Sequence, residues 1–141
     1  MAVTNTAAFG QVNNISTAVL TTAKTTPLSG SSNVVLLFTP GSNGSIVVGI
    51  AAFPRATIAT AATIAIYTST DSGTTNNLVA IGALAAWTFA ATTAPTPLNL
   101  TNLNGSVISV TNPLYLPNGT KLYASTGLTG DIVVTADGID L

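Results

Sequence analysis

Carboxylates are the most chemically useful side chains in this sequence, and three of its four aspartates lie near the C-terminal end of the chain. These are Asp131, Asp137 and Asp140. Calcium is bound by carboxylate and backbone oxygens, so this cluster is a weak candidate for a metal site. Its spacing is not that of an EF-hand loop, and acidic residues in a solvated segment need no ligand. We therefore expect no bound metal and no cofactor.

Catalytic chemistry is limited by the residue types that are absent. The chain has no histidine and no cysteine, so it cannot supply a thiolate nucleophile, a histidine-based triad or a zinc site. Paired carboxylates for glycoside hydrolysis would combine Asp71 with Asp131 or Asp137, and nothing in the spacing brings them to one cleft. Gly-x-Ser-x-Gly, Ser-x-x-Lys and phosphate-binding glycine motifs are also missing. We predict that the protein is not an enzyme.

The aromatic residues suit a second kind of chemistry, which is stacking on a sugar or packing against a protein. Trp87 and Phe89 are two residues apart, so they share one face if residues 87–90 form a strand. Core packing or contact with another subunit is the commoner role of such a pair. The residues that we predict to contact a partner are Phe9, Gln11, Trp87, Phe89 and Tyr115.

These side chains must be positioned by β-strands, because short β-branched or apolar runs alternate with turn residues such as Asn104-Gly105. The alanine-rich segment 56–65 admits a helix, but we favour a loop that leads into a strand. The pattern predicts an all-β protein, an antiparallel sandwich or barrel. The predicted strands cover residues 15–23, 33–39, 45–53, 63–68, 78–84, 87–90, 98–100, 107–110, 121–125 and 132–136.

The chain divides into two regions. Residues 1–14 are small and polar and are predicted to form an extended N-terminal arm, and residues 15–141 a single sandwich domain. The first residues contain neither a basic stretch nor an early apolar core, so we expect no signal peptide and synthesis in the cytoplasm. The longest apolar stretch, residues 78–91, is shorter than the roughly 20 residues of a spanning helix, so we expect no membrane insertion.

Composition indicates a protein that assembles. Only 5% of the residues are charged, against roughly 25% in an ordinary soluble domain. The formal net charge of −1 leaves no basic surface for nucleic acid. Residues 46–50 are apolar on both faces of a predicted strand, although one face normally meets water in a small antiparallel protein. Because no helix is predicted that would cover the second face, we expect another copy of the chain to cover it.

The C-terminal third resembles a known group of proteins. An extended Pro-Leu-Tyr-Leu-Pro segment (residues 113–117) enters an Asn-Gly turn, and a later strand reads Val-Val-Thr-Ala-Asp-Gly (residues 133–138). The motifs L-P-x-G-x-x-L-Y and V-V-x-A-x-G are similar to those of small virion proteins of tailed bacteriophages, which decorate heads or sit in tails. These proteins are of the jelly-roll or a related sandwich type, so the resemblance implies a single antiparallel, jelly-roll-like β-sandwich. The match covers less than a third of the chain, and its motifs are structural rather than catalytic.

This resemblance implies a protein that assembles onto a capsid, often as a trimer, with an arm that contacts the shell. The expected function is that of a head decoration (cement) protein, which binds the major capsid protein on the outside of the virion and stabilises it. Residues 2–14 are the expected contact with the shell. Two alternatives stay open, namely a tail or head-fibre component and a host-surface module that binds glycans, because all three use uncharged sandwiches.

Overall fold

The computed structural model describes residues 12–26 and 32–141, which form β-strands and turns but no helix. All pairings between the strands are antiparallel, and the prediction of an all-β protein is confirmed. The strands are β1 (Val12–Leu20), β2 (Val35–Phe38), β3 (Ser45–Pro54), β4 (Ala62–Ser69), β5 (Asn77–Leu84), β6 (Leu98–Asn99), β7 (Thr101–Asn102), β8 (Leu114–Leu116), β9 (Lys121–Thr126) and β10 (Ile132–Asp140).

These strands form two sheets of five strands each. In the first sheet β1 pairs with β10 and β10 with β3, and the other side of β3 pairs with both β6 and β8. In the second sheet the order is β2-β9-β4-β5-β7. Successive strands therefore alternate between the two sheets, except for β4 and β5, which pair with each other.

One hydrophobic core is shared by the two sheets. Alternate residues of the central strands point into it, so Val134 of β10 and Ile66 of β4 are fully buried. Each large aliphatic or aromatic side chain in the core contributes about 1.5–3 kcal/mol through its removal from water. The packing is close at Gly138, where a Cβ would lie 2.5 Å from Cζ of Phe38.

One side of the molecule is closed where the chain crosses between the sheets. The strand β6 pairs with β3 of the first sheet, and β7 pairs with β5 of the second. Between them Leu100 is fully buried, and its N–H donates to the Ile50 carbonyl at 2.8 Å. The chain then leaves the sheets over residues 103–113 and returns as β8 to β3. On the opposite side, β1 and β2 each pair with one neighbour within the described residues.

Two of the predicted strands are wrong. Residues 87–90 form no strand, and Trp87 makes only an isolated bridge to Ile58. Residues 107–110 likewise form no strand: Val107 makes an isolated bridge to Thr101 of β7, and Ser109 makes one to Asn112. In contrast, Leu114–Leu116 of the extended Pro-Leu-Tyr-Leu-Pro segment forms β8.

The predicted boundary of the N-terminal arm also differs from the structure. Val12, Asn13 and Asn14 belong to β1 and pair with the last three residues of β10, so the strand begins before residue 15. Residues 1–11, the rest of the predicted arm, lie outside the described residues. The loop favoured for residues 56–61 is present, and β4 follows it from Ala62.

Candidate interaction surface

The outer face of the second sheet is covered by the chain itself. Tyr67 and Tyr123 point away from the main core, yet they are only 1% and 6% exposed. The Tyr67 hydroxyl lies 3.0 Å from that of Ser125. Burial raises the pKa of Tyr67, and this hydrogen bond partly opposes the rise. The two tyrosines are packed by side chains of the same chain. These are Val34, Leu78 and Ile81.

The outer face of the first sheet is largely open to solvent. Ile15 is 69% exposed, Tyr115 57% and Val19 37%. Contiguous exposed apolar side chains are typical of an interaction surface. The register places four cross-strand rows on this surface, which we call the first-sheet face: Asn13, Ile139, Ile46 and Tyr115; Ile15, Asp137 and Gly49; Thr17, Thr135, Ala51 and Asn99; Val19, Val133 and Phe53.

Asp137 is the only charged side chain on the first-sheet face. It lies opposite Ile15 on one neighbouring strand and opposite Gly49 on the other. The Asp137 carboxylate lies over Gly49, since a Cβ built on that glycine would be 3.6 Å from Oδ2. Asp137 is exposed, and the structure gives its carboxylate no hydrogen-bond donor or cation. A partner that buries this face must therefore supply a counter-charge or leave the carboxylate hydrated.

The other two C-terminal aspartates have partners of their own. Asp131 accepts from Arg55, with Oδ1 2.8 Å from Nη2 and 2.9 Å from Nε. Asp140 accepts from the Ser45 hydroxyl at 2.5 Å and from the Asn14 amide at 3.0 Å. These two hydrogen bonds hold the pKa of Asp140 below its usual value.

The three C-terminal aspartates therefore do not form a metal site. Asp137 and Asp140 are three residues apart on β10, which directs them to opposite faces of the sheet, and Asp131 precedes the strand at its other end. Among the described residues no group of three carboxylates could hold a metal ion. The sequence places these aspartates close together, but the strand separates their side chains.

Asp71 has a local structural role. Its carboxylate accepts from the Thr75 N–H and from the Ser69 hydroxyl, each at 2.8 Å. These hydrogen bonds, that from Thr75 first, lower the pKa of Asp71 to about 2. The carboxylate orders the turn between β4 and β5, as expected for an aspartate in a Ser-Thr-Asp-Ser-Gly segment.

The three cations lie in different environments. Lys24 is only 1% exposed, and its Nζ donates to the Ser32 carbonyl at 2.9 Å, whereas Arg55 pairs with Asp131. Lys121 lies opposite Ser69 at the start of β9, on the same outer face as Tyr123. It is partly exposed, and the structure gives its ammonium group no acceptor.

The predicted aromatic contacts fall in separate places. Trp87 and Phe89 touch edge to face, with ring centroids 5.8 Å apart and an interplanar angle of 86°. Trp87 packs against the main core, while Phe89 is 60% exposed beside the loop that contains Thr57. Tyr115 lies on the first-sheet face next to Ile46, near the start of β3, whereas Trp87 bridges Ile58 beyond the end of that strand.

The remaining predicted contacts, Phe9 and Gln11, lie outside the described residues. Ile15 is not among the surface contacts predicted from the sequence, and Asp137 is predicted there only as a weak metal candidate, although alternation along β10 indicates that Asp137 faces outward. Residues 132, 134 and 136 of β10 are apolar and buried, so the residues between them face outward. The sequence of β10 alone does not predict that this face is exposed to solvent, nor which residues of the neighbouring strands lie beside Asp137.

Within residues 12–26 and 32–141 there is no pocket, so a concave small-molecule site is not part of the described surface. The same residues include no helix long and apolar enough to cross a membrane. No protein-family model, no curated protein and no solved structure matches the chain.

Proposed function

We propose that this chain is a non-enzymatic structural protein of a tailed-bacteriophage virion. In this proposal it is made in the host cytoplasm, forms a homo-oligomer, with a trimer favoured, and decorates the outside of the head. It contacts the major capsid protein and stabilises the shell against the pressure of packaged DNA. The open first-sheet face is the observation that carries this proposal, because it offers apolar surface to a protein partner and no cleft to a substrate.

The strand order supports a jelly-roll form of the sandwich. In a jelly roll the first strand lies beside the last in one sheet, and the second strand lies beside the next to last in the other. Here β1 lies beside β10 and β2 beside β9, while β6 and β8 together take the place of one strand next to β3. Jelly rolls occur in viral capsid proteins and in lectins, so the fold is compatible with the proposed function without dictating it.

The near absence of charge suits the same role. Burying a charged surface against a shell would require desolvation of each ion, whereas the first-sheet face carries one carboxylate among neutral side chains. Apolar burial contributes about 25 cal/mol per Å² before the costs of association are subtracted. Many copies on one shell would add their weak contacts through avidity.

The test is to locate the chain on particles and to measure what its removal does. Particles from the phage that encodes the chain are labelled with an antibody, and a deletion mutant is heated beside the wild type to follow DNA release. We expect label distributed over the heads and release of DNA at lower temperature from the mutant. Label confined to tails or fibres, or binding to glycans with no label on particles, would instead favour one of the two alternatives.

A pair of matched variants connects this function to the first-sheet face. Ile15→Asp places a charge on the face at a residue that is 69% exposed, and Leu103→Asp places one in the segment between β7 and β8 at a residue that is 59% exposed. When purified protein is added back to undecorated heads, Ile15→Asp should bind at least tenfold more weakly than wild type, and Leu103→Asp should bind like wild type. Equal binding of all three would remove the first-sheet face from the proposal.

A further inference from the structure

We propose that the first-sheet face of one copy docks head to tail on the second sheet of the next, with Asp137 of one paired with Lys121 of the other. This inference rests on the self-assembly in the proposed function and identifies its two surfaces. Its occupant is a second copy of this chain, and the capsid protein is contacted by other surfaces. Ile15→Asp then weakens binding to heads because it breaks the oligomer.

The distribution of charge carries the argument. The chain has seven charged side chains, of which Arg55 pairs with Asp131, and Lys24, Asp71 and Asp140 are hydrogen-bonded within the fold. The remaining two, Asp137 and Lys121, have opposite signs, and within residues 12–26 and 32–141 neither has an ion-pair or hydrogen-bond partner. They lie on the outer faces of different sheets, so they cannot pair within one copy. Contact between copies brings them together.

The sign of Asp137 also decides which kind of contact is favourable. If two first-sheet faces met across a two-fold axis, the contact would place two Asp137 carboxylates in one desolvated interface, and like charges there are costly. A head-to-tail contact joins different surfaces of the two copies and avoids this repulsion. Such a contact closes into a ring when the rotation between copies allows it, which is the symmetry of a trimer.

The surroundings of the two charges match as well. Asp137 has the exposed Ile15 beside it on the neighbouring strand. Lys121 lies on the same outer face as Tyr123, and Tyr123 is paired with Leu36, which is 45% exposed. Each surface thus presents one charge next to one exposed aliphatic side chain. An aliphatic contact beside the ion pair would exclude water from it, which strengthens the attraction.

One further acid lies near Lys121. Asp71 follows Ser69, the residue paired with Lys121, but its carboxylate is held by the Ser69 hydroxyl and the Thr75 N–H. Lys121 is therefore left available for an acid from another copy, although Asp71 adds some negative potential nearby. For this reason the test compares the single charge reversals with the double variant, in which the two residues again have opposite charges.

The experiment measures mass by light scattering on a sizing column over a hundredfold range of concentration. Wild type, Asp137→Lys, Lys121→Asp and the double variant are compared, with Asn118→Asp as a control for a charge change in an exposed turn. We expect both single reversals to dissociate at concentrations at least tenfold higher than wild type. The double variant should recover wild-type behaviour to within about threefold, and the control should match wild type. Thermal unfolding of each variant verifies that the fold is retained.

Three outcomes would overturn the inference. The first is an oligomer that the single reversals leave unchanged, which removes this interface but leaves the proposed function standing. The second is a double variant that stays as dissociated as the single variants, which excludes the Asp137–Lys121 pairing. The third is a wild-type protein that is monomeric throughout, which overturns self-assembly as well. In that case the particle-labelling experiment decides whether the chain acts on the head as single copies.

Discussion

Replacing Gly138 with alanine tests whether the two sheets pack as closely as the structure indicates. Gly138 lies on β10, and its missing side chain leaves room for the ring of Phe38 from β2 in the other sheet. The added Cβ would lie 2.5 Å from Cζ and 2.8 Å from Cε2 of that ring. Gly138 does not have a positive φ, so the backbone itself accepts alanine and only the steric overlap is tested.

The expected cost follows from these distances. Carbon atoms in contact are about 3.5–4.0 Å apart at best, so the overlap is about 1 Å and the ring must move. Phe38 is only 1% exposed and fully enclosed by the core, and Asn14 O lies 3.4 Å from the new Cβ on the other side. Overpacking of this kind costs about 1–3 kcal/mol of unfolding free energy. For a chain of this size, the midpoint of thermal unfolding should fall by roughly 3–12 °C.

Urea unfolding followed by Trp87 fluorescence, at one protein concentration for all variants, gives the free energies. Gly127→Ala is the matched control, because its Cβ would meet Thr63 Cβ at an ordinary 3.5 Å. Phe38→Leu shortens the obstructing side chain, so the double variant with Gly138→Ala should be at least about 1 kcal/mol more stable than the sum of the two single changes predicts. If Gly138→Ala were as stable as Gly127→Ala, the close approach of the sheets at this point would be refuted.

Three further predictions concern pH, a buried hydroxyl and the N-terminal segment. The pKa of Asp71 is lowered to about 2 in the folded protein, so the ionised carboxylate stabilises the fold fully above pH 4. This stabilisation is lost as the pH falls through 2. The variant Asp71→Asn should therefore flatten the dependence of the urea midpoint on pH over this range. Tyr67→Phe leaves the buried Ser125 hydroxyl without this partner and should cost about 1–3 kcal/mol in the same assay, whereas Tyr115→Phe on the surface should change nothing. Deleting residues 2–11 removes no residue of β1 (Val12–Leu20), so the midpoint of thermal unfolding should be unchanged. Binding of the deletion variant to undecorated heads should be lost. Retained binding would contradict the predicted role of the arm.

Much of the fold could be predicted because local pattern and tertiary structure agree in the longer strands. Residues 45–53 and 132–136 carry the β-branched and apolar runs of β3 and β10, and Gly44 and Gly119 have the positive φ expected of Asn-Gly turns. The boundaries moved where a partner strand extends the pairing. In β1, Val12 is held by Asp140 even though the first residues of the strand resemble the preceding polar segment.

The candidate surface was less predictable, since it depends on which residues meet across strands. The sequence gives no reason why Asp140 finds the Ser45 hydroxyl while Asp137 lies over Gly49. It also does not reveal that Tyr67 and Tyr123 are buried by their own chain, because Val34 packs against this cluster from a distant part of the sequence. Likewise, Trp87 is predicted on a strand, but its segment makes only an isolated bridge to Ile58.

The pairing of Val12 with Asp140 has a mechanical consequence for a protein under tension. Force applied between the two ends of the described chain acts at the same end of the β1–β10 ladder, across the strands rather than along them. The hydrogen bonds of that ladder then break one pair after another, as in a zipper, and not all together as in shear. A subunit anchored to a shell by its first residues and loaded through its C-terminal end would thus yield by peeling β1 away. A subunit loaded through the turn at Gly130, next to the Leu20–Ile132 pair at the opposite end of this ladder, would instead have to slide β1 and β10 past one another.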